Sequence, residues 1–251
     1  MAVVETDAIG AGTRIGHFAV IRADTQLGRG VVVHPHVVIE SGVVIGDGVE
    51  ILPGALIGKE PKGAGVTARL PEFEKKVTIG ADCSIGPNAV IYYDVTIGTN
   101  TLVGDGASIR EQCAIGNRSI VGMHVAVDFD VKICDRVKIM DHAHIVGRSL
   151  IEDDAFVAPG VNTANDPFIG TRGFEERYIR GVVIRKSAMI GVGATLLPGV
   201  EVGEQAVVAA GALVSNDVPA HKMASGVPAK ILRKVPERLL EGMHTARGSH
   251  S

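Results

Sequence analysis

Every sixth residue of this 251-residue chain is Ile, Val or Leu, and the phase holds over most of its length. Ile9, Ile15, Ile21, Leu27, Val33, Ile39, Ile45, Ile51 and Ile57 make a first run. A second goes without a break from Ile79 and Ile85 through Ile139 and Ile145 to Val157, and a third goes Ile184, Ile190, Leu196, Val202, Val208, Val214. Glycine often comes next, as in Ile15-Gly16, Ile79-Gly80 and Val202-Gly203. A fixed short period is the mark of a solenoid. Strands alternate faces every two residues, so six residues make a short strand and a corner, and three such units close a triangular coil. The aliphatic side chain points into the prism, and the corners need Gly, Asn or Asp, which tolerate positive φ. The pattern predicts an all-β fold, a parallel β-helix of about ten coils stacked at the usual strand spacing of about 4.8 Å. Residues one coil apart then lie one above the other.

Composition agrees. Glycine is abundant at 32 residues, aromatics are few and Trp is absent, as suits a core of flat Ile and Val layers. The solenoid is expected to form one domain over residues 1–232, with insertions at about 59–77 and 160–182, followed by a short C-terminal helix and tail over 233–251. A net charge of −3 argues against a nucleic-acid partner, and no apolar run has the length of a membrane span. Cys83, Cys113 and Cys134 show no paired spacing. With no basic flank or apolar leader at the N-terminus, reduced thiols in a cytoplasmic protein are expected.

Function in a solenoid gathers where the repeat is interrupted. The first break holds Lys59-Glu60-Pro61-Lys62-Gly63 and the stretch from Arg69 to Lys76; the second holds Asn162-Thr163-Ala164-Asn165-Asp166-Pro167 and the run Glu175-Glu176-Arg177-Tyr178. After Val214 the pattern closes on Asp217-Val218-Pro219 and Gly226-Val227-Pro228-Ala229-Lys230.

These motifs resemble those of the hexapeptide-repeat acyltransferases, a resemblance that covers about residues 8–232 and implies that the β-helix is left-handed. The ending is similar to the D-V-P…G-x-P-A-K of the coenzyme-A-dependent members. Ile151-Glu152-Asp153-Asp154-Ala155-Phe156 followed by Thr163-Ala164-Asn165-Asp166 resembles the I-E-D-D-x-F…T-N-D segment of nucleotide-sugar N-acyltransferases, with Ala164 interrupting it. Ile57-Gly58-Lys59-Glu60-Pro61 is similar to an insert of the acyltransferase that starts lipid A synthesis. That enzyme's A-H-I-A-H-D stretch falls on Ala143-His144-Ile145-Val146-Gly147-Arg148: His144 matches the first His, and the second, the general base, falls on Gly147. The resemblance implies an acyl-CoA-dependent transferase, acetyl-CoA most of all, which acylates an amino group (or hydroxyl) of a sugar, in a homotrimer with sites between neighbours and no metal.

Acyl transfer from a thioester to an amine needs a base to take the amine proton, and a His near pKa 6.5 suits the task. The stacking rule puts His124 and His142 in one column and His144 beneath Asn162. His142 or His144 is therefore expected as base, and Asn165 and Asp166 as the groups that position the amine. His124, Asn162, Arg177 and Tyr178 are expected to line the acceptor. Gly193, Gly211, Lys230 and Arg233 are expected to hold CoA, the two cations by pairing with its phosphates. Two other classes compete. A gamma-type carbonic anhydrase would use zinc on three His, but its H-x4-H pair does not occur. A non-catalytic scaffold would leave the polar second break without a purpose.

Overall fold

A computed structural model describes residues 1–63, 69–172 and 175–236. Its described residues form a three-sided prism of two- to five-residue strands, in sheets of eleven, nine and twelve strands that are parallel except for the last strand of the twelve. The chain visits the third, first and second faces in turn, as in Arg14–Ile15, Val20–Ile21 and Gln26–Leu27. Stacking follows the expected rule: Arg14 pairs with Val32 and Val32 with Glu50. Both insertions leave the register intact, with Val43 paired to Val77 across the first and Leu150 to Val183 across the second.

Two residues of each unit point inward, the aliphatic one and the one two before it. Ile139 with Val137, Ile45 with Val43 and Ile21 with Ala19 are all buried. Each such Ile contributes roughly 1.5–3 kcal/mol of burial. The glycine after the aliphatic residue is a packing requirement. A Cβ on Gly122 would sit 2.6 Å from the side-chain Oδ1 of Asp141 and 2.8 Å from its backbone N, on the next coil. Small polar residues also occupy inward positions where they can bond along the stack: Thr101 Oγ1 donates to Gly116 O at 2.8 Å and Ser119 Oγ to Cys134 O at 3.0 Å. Cys113 is sealed in the same way, and burial pushes its thiol up to about 12. All three cysteines are unpaired.

The excursions are slightly shorter than the sequence suggests. The first occupies residues 60–76, between Leu56–Lys59 and Val77–Ile79. The second occupies 164–182, because Asn162–Thr163 still forms a strand. Thr163 takes the aliphatic register. Its branched side chain turns inward, and its hydroxyl donates to His144 O (3.0 Å) and accepts from Val146 N (2.8 Å). Both excursions leave the same edge, between the first and second faces. At the C-terminal end Lys222–Ser225 and Lys230–Lys234 form an antiparallel hairpin that covers the last coil. Residues 233 and 234 thus continue a strand beyond the expected boundary at 232; of the helix expected near the C-terminus, residues 237–251 lie outside the described residues.

Candidate active site

The corner between the third and first faces carries one vertical column. Gly106, His124, His142, Gly160, Gly193 and Gly211 occupy it on successive coils, all at positive φ between 53° and 67°. His124 and His142 stack ring on ring, 5.2 Å apart and tilted by 18°. Above them the column is bare: a Cβ added to Gly160, Gly193 or Gly211 would meet nothing within 4 Å. The result is an open, side-chain-free strip of corner backbone, the glycine groove, that runs from His142 to the terminal hairpin, about 14 Å by strand spacing. The hairpin's turn lies over the top of it, with Ala229 N donating to Leu213 O at 2.8 Å. Lys230 and Arg233 are exposed on the strand that follows.

His144 lies one strand in from this corner, on His144–Ile145 of the first face, directly beside Asn162 of the next coil. Its Nε2 faces Asp128 Oδ2 at 3.3 Å. The hydrogen bond to Asp128 raises the imidazole pKa above its ordinary value, partial burial opposes the rise, and the Asp128 charge adds to it. Asp128 is not singled out by the vertical stacking rule, although a signal exists. The two residues are 16 apart, the diagonal contact between neighbouring coils that also joins Arg185 to Glu201 and His34 to Glu50. Asn162 Nδ2 donates to Gly160 O at 3.0 Å, which holds the amide at the mouth of the groove.

The remaining residues expected from the sequence sit on the second excursion. Asn165 Nδ2 donates to Gly147 O at 3.2 Å, and its own carbonyl accepts from Arg180 N at 2.9 Å, so it clips both ends of the loop to the prism. Asp166 spends both oxygens on the loop itself, accepting from Phe168 N (2.8 Å) and Gly170 N (2.6 Å). Arg177 is exposed, pairs with Glu175 at 2.7 Å and covers the Tyr178 ring. Tyr178 packs edge-on against Phe168, with centroids 5.0 Å apart. Thus His142, His144, Asn162 and the glycine groove come together at one corner. Asn165, Asp166, Arg177 and Tyr178 build the loop at the opposite edge of the same face.

Gly147 has a clear physical cause. A Cβ there would lie 2.9 Å from Phe129 Cε1 and from Phe129 O. The Phe129 ring fills the space a side chain at 147 would need, so no base can stand at that position. Near this point the two excursions meet. Arg69 and Glu72 of the first and Glu176 of the second line a cavity of about 220 Å³, with Gln112, Asp130 and Arg148 as its floor. Among the described residues, no three His, Cys, Asp or Glu side chains converge to hold a metal ion, and no helix is long and apolar enough to cross a membrane.

Comparison with known families fits this architecture. A model of the bacterial transferase hexapeptide repeat matches residues 8–41, 24–59 and 76–110, and one of the hexapeptide repeat of succinyl-transferases matches 181–216. The chain belongs to the hexapeptide-repeat superfamily. Its fold is accordingly the left-handed parallel β-helix that the resemblance implied. The UDP-N-acetylglucosamine acyltransferase of Campylobacter jejuni superposes over 97% of this hexapeptide-repeat chain and 83% of its own, with a TM-score of 0.54 at 17% identity, a likeness of fold. Serine acetyltransferase of Haemophilus influenzae is 38% identical over 116 residues, 43% of this chain and 41% of that protein. The 2,3,4,5-tetrahydropyridine-2,6-dicarboxylate N-acetyltransferase of Enterococcus faecalis is 49% identical over 57 residues, 23% of this chain and 24% of its own. The chain spans less than half the length of both of these relatives.

Proposed function

We propose that this hexapeptide-repeat protein transfers an acyl group, acetyl by preference, from acyl-CoA to the amine of a small acceptor, an amino sugar and foremost a nucleotide-linked one. The observation that carries the reading is the His144–Asp128 pair at the foot of a side-chain-free groove. In this reading the groove over Gly160, Gly193 and Gly211 takes the pantetheine arm, whose thioester then reaches the imidazoles. Lys230 and Arg233 meet the phosphates at its far end.

The chemistry needs few parts. His144, neutral, takes a proton from the acceptor amine as its nitrogen attacks the thioester carbonyl. Asp128 stabilises the imidazolium that forms, as a carboxylate beside a base does elsewhere. The remaining amide hydrogen of Asn162 meets the oxyanion. The tetrahedral intermediate expels the CoA thiolate, which takes the proton back from His144. His142, stacked on His124, forms the wall beside the groove. Asn165 and Asp166 act through the loop they hold, which presents Arg177 and Tyr178 to the acceptor.

The reading is tested by mixing the protein with acetyl-CoA and a panel of amino-sugar nucleotides, free amino sugars and simple amines, and following free thiol. Thiol release that depends on an amine is expected; release with no acceptor, or none with any, counts against it. In the same assay, Lys230→Ala with Arg233→Ala should raise the KM for acyl-CoA several-fold and leave kcat within about twofold, since uniform binding is what these cations supply. An unchanged KM would put the phosphates elsewhere.

The site also calls for neighbours. The outward row of the third face is mostly apolar beside the candidate site, where Leu102, Ile120, Phe156, Met189 and Val207 are interrupted by Lys138, and it turns polar lower down at Ser84, Glu50 and Arg14. It borders the His124–His142 corner. Copies packed on this row would close the groove from the side, and cyclic closure is the usual solution for identical chains. A homotrimer is expected by light scattering at micromolar concentration; a monomer would leave the groove open to water and remove this part of the proposal.

A further inference from the structure

The first excursion reaches across the molecule to the residues that flank Asp128. Arg69 Nη1 donates to Glu111 Oε1 at 2.8 Å and Nη2 to Gln112 Oε1 at 3.0 Å. The Glu111 side chain is 0% exposed and also binds Arg110 at 3.0 Å. A carboxylate without access to water is strongly penalised unless cations surround it, so Glu111 has a structural need for both guanidiniums. With its fork fixed, Arg69 lies flat on the Phe129 ring, 4.1 Å from its centroid. Phe129 immediately follows Asp128, and its ring occupies the space beside Gly147. The same segment is tied on its other side, since Arg148 N donates to Phe129 O (3.2 Å) and to Asp130 O (3.1 Å). The Arg148 bond is the corner bond that recurs between coils, as in His142 N to Met123 O, whereas the Arg69 contacts are additions to a β-helix whose register runs past both excursions.

We propose that Arg69 is a positioning residue: clamped by Glu111 and stacked on Phe129, it holds the 128–130 segment so that the Asp128 carboxylate faces His144. The first excursion thereby sets the basicity of an imidazole four coils above its own root. Arginine is required for this role. Lysine keeps the charge, but it has neither the fork that spans Glu111 and Gln112 nor the plane that lies on an aromatic ring.

The catalytic half of this inference rests on the reading of His144 as base, so the test has a readout that does not depend on turnover. The His144 ring protons, assigned by their loss in His144→Gln, are titrated by NMR in the wild type, Arg69→Ala, Arg69→Lys, Glu111→Gln and Lys75→Ala. Lys75 sits in the same excursion, where its ion pair among the described residues is with exposed Glu60, and serves as the control. In Arg69→Ala the His144 titration is expected to move down towards the ordinary His value. In Arg69→Lys and Glu111→Gln it should move part of the way, and in Lys75→Ala not at all. The acid limb of kcat/KM should follow, with kcat lower by about 10-fold to 100-fold, the cost of a misplaced catalytic group, and the KM for acyl-CoA unchanged. A His144 titration that stays in place in Arg69→Ala and Arg69→Lys overturns the proposal. A titration that moves while the kinetic limb does not leaves the clamp standing and removes His144 as the base. Should Arg69→Ala fail to fold, the same shift in Arg69→Lys and Glu111→Gln supports the clamp, and its absence from both overturns it.

Discussion

His144→Ala is expected to lower kcat for acyl transfer by about 10²–10⁴-fold, the usual cost of losing a general base. Acyl-CoA should still bind with near wild-type affinity by calorimetry, because the groove is made by glycine backbone and not by the imidazole. His142→Ala should cost less. His142 sits at a corner with its ring on His124, whereas His144 has the carboxylate that raises its basicity. Equal losses in the two variants would mean that they share the work; near-full activity in His144→Ala would mean that the attacking amine loses its proton without the imidazole. The design exploits the fold's simplest property. On the face of the prism, residues two before or after one stacked position are brought within reach by a single coil step, so the coil itself brings a base and its carboxylate together from 16 residues apart.

Ile139→Ala is expected to destabilise the protein by about 2–5 kcal/mol, the range for truncating a buried Ile to Ala. Ile139 is 0% exposed, lies between Val121 below and Val157 above in the stack, and shares a coil with His142 and His144. A solenoid is held by nearest-neighbour interfaces, so both neighbouring coils lose contacts and the flat layers cannot collapse into the cavity. Chemical denaturation with far-UV detection measures the loss; a midpoint unchanged within error would mean that the coil is not a stacking unit of the core.

Much of this is legible in the sequence because the period encodes the fold directly. Knowing that residues one coil apart stack is enough to place His124 on His142 and His144 beside Asn162, and both contacts occur. The features that stay hidden have identifiable causes. Thr163 conceals one more turn of the repeat, since a hydroxyl stands where the pattern asks for an aliphatic group. Asp128 is missed because the vertical rule ignores diagonals. The Arg69–Glu111–Phe129 clamp cannot be read at all, because the excursion that carries Arg69 has no period and its partners lie 42 and 43 residues onward. Nor does the spelling of Asn165-Asp166 reveal that both Asp166 oxygens turn back into their own loop.

The mechanism depends above all on His144, its basicity set by Asp128, accepting the amine proton. The raised pKa fixes the sign. The neutral imidazole required of a base appears only as pH rises through a value above the ordinary 6.5, so kcat/KM should climb with pH along that limb. By linkage, the same pair stabilises the fold on the acid side and loses its contribution as pH rises through the raised value. The most direct measurement is the pH profile of kcat/KM for amine-dependent thiol release, compared between the wild type and Asp128→Asn. Removing the carboxylate is predicted to move the acid limb to lower pH and to lower the plateau. A limb that stays where it was, at an undiminished plateau, would contradict the assignment of His144 as a base tuned by Asp128.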